Sequence, residues 1–263
     1  MIPISKPDKP LSGRRKVEIE ICCTDVASLV IAATAKVDRV ELCADITVGG
    51  VTPSAGMIDR AVRLGVPSVN VLIRPRGGNF VYSEAEVKVM EADIAVAKSL
   101  GATGVVIGAL DRDGKFDIAV MKRLCEAAEG MERIVSRAID VAGSQYEALN
   151  TIIELGCERV LTSGGADSAP NGLAGLQRMV HQAAGRVVIM AGGGVRPENV
   201  MDLYDVSGIS AFHTTAHRSE RKDFTDCGEV SGFGSYIDAY SDMGTIYKMV
   251  ELRDTLNNRQ TTK

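Results

Sequence analysis

Val17-Glu18-Ile19-Glu20-Ile21-Cys22-Cys23 is the stretch on which the fold turns. Val17, Ile19 and Ile21 alternate with Glu18, Glu20 and Cys22, the period of two that marks a β-strand. The same theme returns in Arg39-Val40-Glu41-Leu42-Cys43, and again where Val69, Val71 and Ile73 alternate with Asn70, Leu72 and Arg74. Outward from these runs, the chain repeats a short strand, a turn and a helical segment of roughly a dozen residues. Strands are expected at 17–22, 39–43, 68–74, 104–110, 133–137, 158–163, 186–191 and 208–213. Eight such units in 263 residues predict one (β/α)8 barrel, a single-domain α/β fold for which about 250 residues is typical. A doubly wound sheet is the competing architecture, but its first turn should carry glycines, and here it reads Cys22-Cys23-Thr24-Asp25.

Helix boundaries support the repeat. Ser83 with Glu86 and Ser144 with Glu147 read as capping boxes. Pro53 and Pro197 read as first helical residues, and Gly101 and Gly156 sit where helices should end. The domain is expected to run from 17 to 263, after a disordered leader (1–16) rich in Pro and basic residues. A Ser/Thr/Gly-rich rim loop is expected at about 214–243.

Composition narrows the function. The net charge of −4 gives no footprint for nucleic acid or an anionic membrane. No apolar run approaches the ~18 residues needed to span a bilayer, and no apolar stretch follows the basic N-terminus as a secretory signal requires. The six cysteines do not read as a disulfide scaffold, since Cys125, Cys157 and Cys227 are scattered along the chain. Cytoplasmic location is the expectation.

A barrel strand must show its apolar side to the helices, so Glu18, Glu20, Cys22, Arg39, Glu41, Cys43, Asn70, Leu72 and Arg74 should face the barrel interior, with Arg76 just beyond the third strand. Glu18 and Arg39, low in the barrel, read as structure. Glu20, Glu41 and Arg74 lie toward the C-terminal ends, where barrels carry function. A purely structural ion-pair network is the plainer alternative. Thr162-Ser163-Gly164-Gly165 and Gly192-Gly193-Gly194 follow the sixth and seventh strands and suit a small anion. His213 ends the eighth strand and is a candidate for proton transfer, while His181 and His217 read as surface residues. Cys22 and Cys43 should lie close enough to hold a soft ion such as Cu(I). Two small buried side chains packing together would fit the same pattern.

Glu20-Ile21-Cys22, Arg39-Val40-Glu41-Leu42-Cys43, Gly49-Gly50-Val51-Thr52-Pro53-Ser54, Ile73-Arg74-Pro75-Arg76-Gly77-Gly78, Gly108-Ala109-Leu110, Arg159-Val160-Leu161-Thr162-Ser163-Gly164 and Gly192-Gly193-Gly194 resemble the CutC family of copper homeostasis proteins, in order, from about residue 17 to the last helix. The resemblance implies a cytoplasmic (β/α)8 barrel, a homo-oligomer (dimer or tetramer), with Cys22 and Cys43 as Cu(I) ligands. The family's His-Arg-Ala-Phe-Asp stands here as Ser136-Arg137-Ala138-Ile139-Asp140, so the histidine is replaced while Arg137 and Asp140 remain. Ala191 stands where a proline is usual before the glycines, and Thr215 where a serine is usual. Two readings of function follow. In the first, Cys22 and Cys43 bind Cu(I). In the second, a barrel enzyme of hydrolase or lyase type acts on a small anion such as a phosphorylated or acidic sugar. There Arg76, Ser163, Gly192, Gly193 and Gly194 would hold the anion, with Glu20, Glu41, Arg74, Arg137, Asp140 and His213 around the chemistry. A binding protein without turnover is a third variant.

Overall fold

The computed structural model describes residues 16–217 and 241–261. Eight strands close in chain order into a parallel barrel: β1 (Glu18–Cys23), β2 (Arg39–Leu42), β3 (Ser68–Leu72), β4 (Gly104–Ile107), β5 (Glu132–Val135), β6 (Arg159–Thr162), β7 (Val188–Ala191) and β8 (Ala211–Thr214). Each is followed by a helix: α1 (Val26–Thr34), α2 (Ala55–Arg63), α3 (Glu84–Ser99), α4 (Ile118–Ala127), α5 (Gln145–Glu154), α6 (Leu173–Ala183), α7 (Pro197–Asp202) and α8 (Met243–Thr261). β1 pairs with β8, so no strand edge is left open.

The alternation expected from sequence sorts the core into two layers. Val17, Ile19, Ile21 and Cys23 join Val40, Leu42, Val69 and Val71 in the large apolar layer under the helices. Cys22, Cys43, Leu72, Val106, Ile134, Leu161, Met190 and Ala211 form a separate cluster inside the barrel. Burying one such aliphatic side chain contributes about 1.5–3 kcal/mol, so a one-residue slip in any strand would reverse many favourable terms at once.

The bottom of the barrel is ionic. Arg159 contacts Glu18 at 2.8 Å and Glu132 at 3.1 Å. Arg39 lies 2.7 Å from Glu132, a charge contact without hydrogen-bond alignment, and donates to Glu20 at 3.0 Å. Two guanidinium groups thus meet three carboxylates, which makes their burial tolerable.

Three local expectations change. Ser83 and Glu86 form the full capping box, but at Ser144 only the side-chain bond to the Glu147 N–H is present. Pro53 precedes the cap: Ser54 accepts from the Met57 N–H and α2 begins at Ala55, whereas Pro197 does open α7. Past β5, where a strand was expected to reach Arg137, a 3₁₀ turn (Arg137–Val141) begins, capped by Ser136. Gly101 and Gly156 follow their helices at φ +89° and +71°, the left-handed turn a glycine adopts without strain. The expected leader, apart from Lys16, and positions 218–240 of the expected rim loop lie outside the described residues.

Candidate functional site

The C-terminal mouth of the barrel holds a cavity of about 280 Å³. Cys22, Glu41, Cys43, Leu72 and Arg74 form one wall, with Ile46, Gly49 and Phe80 beside them. Ser136, Arg137, Leu161, Gly193, Gly194 and Arg196 form the facing wall, and His213 on β8 stands next to β1, close to Glu41.

Register brings the thiols together. Cys22 of β1 stands level with Glu41 of β2, and Cys43 is the next inward position on β2. The two sulfurs are 3.4 Å apart and both residues are 1% exposed. Glu41 Oε1 lies 3.9 Å from Cys22 Sγ, and Oε2 is buried without a hydrogen-bond partner. Burial outweighs the neighbouring His213 charge and pushes Glu41 up to about 7. The sulfur contact to Cys43, burial and the Glu41 charge all push the Cys22 thiol up, so it is protonated at neutral pH. Gly50 sits at φ +84° over this pair, where a Cβ would lie 2.8 Å from Leu72 Cδ2 and 3.3 Å from Cys43 Cβ. In this Gly-Gly lid after β2, position 50 therefore favours glycine both for its φ and for the room beside Leu72 and Cys43.

On β8, His213 pairs in register with Glu20, and its Nδ1 lies 2.9 Å from Glu20 Oε1. Glu20 is fully buried and also accepts from Arg39 Nε and Asn70 Nδ2, each at 3.0 Å. Burial raises its pKa, but the His213 hydrogen bond and the charges of Arg39, His213 and Arg159 outweigh it and hold Glu20 at about 2. Burial lowers His213, yet the charges of Glu41 and Glu20 and the Glu20 hydrogen bond leave it above its ordinary value. With Nδ1 turned to Glu20, Nε2 is the ring nitrogen left for the cavity.

Asp140 organises the third element. It accepts from Arg137 Nε at 2.8 Å, Ser163 N at 3.0 Å, Ser163 Oγ at 3.0 Å and Gly165 N at 3.3 Å, which fixes the turn after β6. Arg137 Nη2 donates to Ser163 Oγ at 3.0 Å, and the guanidinium keeps 41% of its side-chain exposure. Gly193, at φ +87°, lies under it. A Cβ there would stand 3.2 Å from Arg137 Nη1.

The other expected residues divide plainly. Arg74 enters the cavity wall, donating to the carbonyls of Val48 and Gly50 at 2.8 Å each and of Gly78 at 2.6 Å, above the Phe80 ring. Arg76 turns away to Glu86, the Val81 carbonyl and the Tyr82 ring, and does not line the cavity. Glu20, Asp140, Ser163 and Gly192 stand behind the lining and hold it. Sequence reading missed Phe80 and Arg196. Arg196, directly after the glycine run, had a signal to find it, and Phe80 had none. It also took Cys125 and Cys157 as scattered, whereas their sulfurs lie 3.9 Å apart between α4 and the start of β6. His181 is exposed, and His217 is partly buried beside Ser241.

Among the described residues, two groups could hold a metal ion: Cys22, Glu41 and Cys43, and Glu20, Glu41 and His213, each with ligand atoms within 4.8 Å of one another. No helix among them is long and apolar enough to cross a membrane.

Comparison with known proteins agrees with the motifs. The CutC family model matches residues 17–218. The chain is 48% identical over 197 residues to the CutC family protein of Agrobacterium fabrum, covering 75% of this chain and 78% of that one. It is 41% identical over 229 residues to the CutC family protein of Bacteroides thetaiotaomicron, covering 86% and 92%. A crystal structure of the copper homeostasis protein CutC from Streptococcus agalactiae superposes with a TM-score of 0.72 at 33% identity, covering 76% of this chain and 98% of that one. A deoxyribose-phosphate aldolase fold from Coccidioides immitis, at 15% identity and TM-score 0.58, shares the barrel alone. With the barrel, the glycine lid and the paired thiols in place, the chain belongs to the CutC family.

Proposed function

We propose that this protein binds Cu(I) through Cys22 and Cys43 and serves copper homeostasis in the cytoplasm. The observation that carries this reading is the 3.4 Å approach of two inward-facing sulfurs at the edge of the cavity. Two soft thiolates suffice for linear Cu(I) coordination. In a linear thiolate–metal–thiolate unit the ion sits between the sulfurs, which must then stand farther apart than the present 3.4 Å. Loading therefore opens the pair, and the adjoining cavity gives the room. Glu41 is a hard oxygen donor raised to about 7, so above that pH its carboxylate can receive the proton that Cys22 gives up, a role that suits it better than holding the ion. Because the Cys22 proton must leave, affinity rises with pH. The five described cysteines are free thiols, which fits a reducing compartment. The homo-oligomer, a dimer or tetramer, stays an expectation for sedimentation analysis.

A Cu(I) titration against a competing chelator tests the reading, comparing wild type with Cys22→Ser, Cys43→Ser and the double variant. Each single variant should lose most of the affinity and the double little more, because one thiolate makes a poor site. Unchanged binding in the double variant would overturn it.

A further inference from the structure

The cavity carries positive charge that the thiol site does not use. Arg74 is buried at 6% exposure, yet its guanidinium meets three backbone carbonyls and an aromatic face and, among the described residues, no carboxylate. Its Nε is buried without a hydrogen-bond partner. A buried cation without a counter-charge is costly, and the cavity it lines is where an anion can reach it. Arg137, across the cavity, directs Nε to Asp140 and one Nη2 bond to Ser163. Its Nη1 has no hydrogen-bond partner among the described residues, and the guanidinium lies so close over Gly193 that a Cβ there would stand 3.2 Å from Nη1 and push it aside. His213 lines the same cavity with Nδ1 held by Glu20.

We propose that this cavity is a binding site for a small organic oxyanion, a carboxylate or phosphate ester, held by Arg137 over Gly193, balanced by Arg74, and within reach of a proton from His213. The volume of about 280 Å³ lies at the small end of ligand pockets, which suits a small molecule. An arginine fork suits the planar or tetrahedral array of acceptors that such a group presents. The oxyanion site needs neither sulfur, so it stands or falls apart from the copper reading.

The test uses the whole chain with inorganic phosphate and glycolate as separate probes. Histidine ring resonances are followed by NMR and assigned with His213→Gln. One or both probes should give a saturable shift of the His213 signal, and the stronger probe identifies the head group. Arg137→Gln should weaken binding about tenfold or more, as loss of a charge-assisted contact does. Gly193→Ala should weaken it similarly by filling the space under the guanidinium, with circular dichroism confirming that both variants fold. Cys125→Ser, outside the cavity lining, should bind within about twofold of wild type. No saturable shift with either probe up to about 50 mM, far weaker than a millimolar site, would overturn the proposal. So would binding that survives unchanged in Arg137→Gln.

Discussion

His213 Nδ1 lies 2.9 Å from Glu20 Oε1, and this contact joins the floor of the cavity to the ion network below it. Through Glu20 the imidazole is tied to Arg39, and through Arg39 to Glu132 and Arg159. The side chain facing the cavity is thereby oriented by residues that never reach it.

That pairing gives stability a pH window. Glu20 is depressed to about 2, so its contribution is present above its ordinary value of 4.5 and is lost as pH falls through the folded value. His213 is raised, so its contribution is complete below 6.5 and is lost as pH climbs through its folded value. Pairing is at full strength between pH 4.5 and 6.5. In urea unfolding, His213→Gln should cost about 1–3 kcal/mol in that window and should flatten the decline on the alkaline side. An identical alkaline decline in wild type and variant would remove His213 from the explanation.

Arg74 should matter for stability whatever the cavity binds. Truncation to Ala strands the carbonyls of Val48, Gly50 and Gly78 and should cost roughly 2–4 kcal/mol. Arg74→Lys should recover only part of it, because an ammonium cannot span three acceptors from one plane. Thermal unfolding of the two variants measures the difference, and full recovery in Arg74→Lys would show that charge alone is at work.

Gly50→Ala combines a disfavoured φ of +84° with a Cβ 2.8 Å from Leu72 and 3.3 Å from Cys43. The expected cost is about 1–3 kcal/mol, with Cu(I) affinity falling as the lid shifts over the thiols. Gly65→Ala, at φ +73° with open space around the Cβ, is the control. It should lose stability through the backbone and leave Cu(I) binding alone.

Ser136 stands where the family's histidine is expected, and its Oγ accepts from the Ala138 N–H to cap the 3₁₀ turn that carries Arg137 and Asp140. Ser136→Ala should cost about 1 kcal/mol, the loss of a cap, with unchanged Cu(I) affinity. A large fall in affinity would give the hydroxyl a direct role.

Much of this was legible because strand alternation is a local signal. Val17, Ile19 and Ile21 told which side of β1 met the helices, and that alone placed Glu20 and Cys22 inside. What escaped depends on contacts between distant segments. Arg74 and Arg76 are two residues apart and read alike in sequence. One is drawn inward by carbonyls from the loop before α2, while Glu86 at the start of α3 draws the other outward. Asp140 had no visible partner in sequence, but the 3₁₀ turn swings it under the turn after β6, where five donors from Arg137, Thr162, Ser163 and Gly165 converge on it. Cys125 and Cys157, 32 positions apart, meet only because α4 and the start of β6 pack side by side.

X-ray absorption at the copper edge of the Cu(I)-loaded protein tests the central claim most directly, because it reads the ligands rather than the affinity. The account predicts two sulfur scatterers at a single metal–thiolate distance and no shorter oxygen or nitrogen shell. A spectrum dominated by nitrogen or oxygen, or one unchanged in the Cys22→Ser/Cys43→Ser variant, would contradict it.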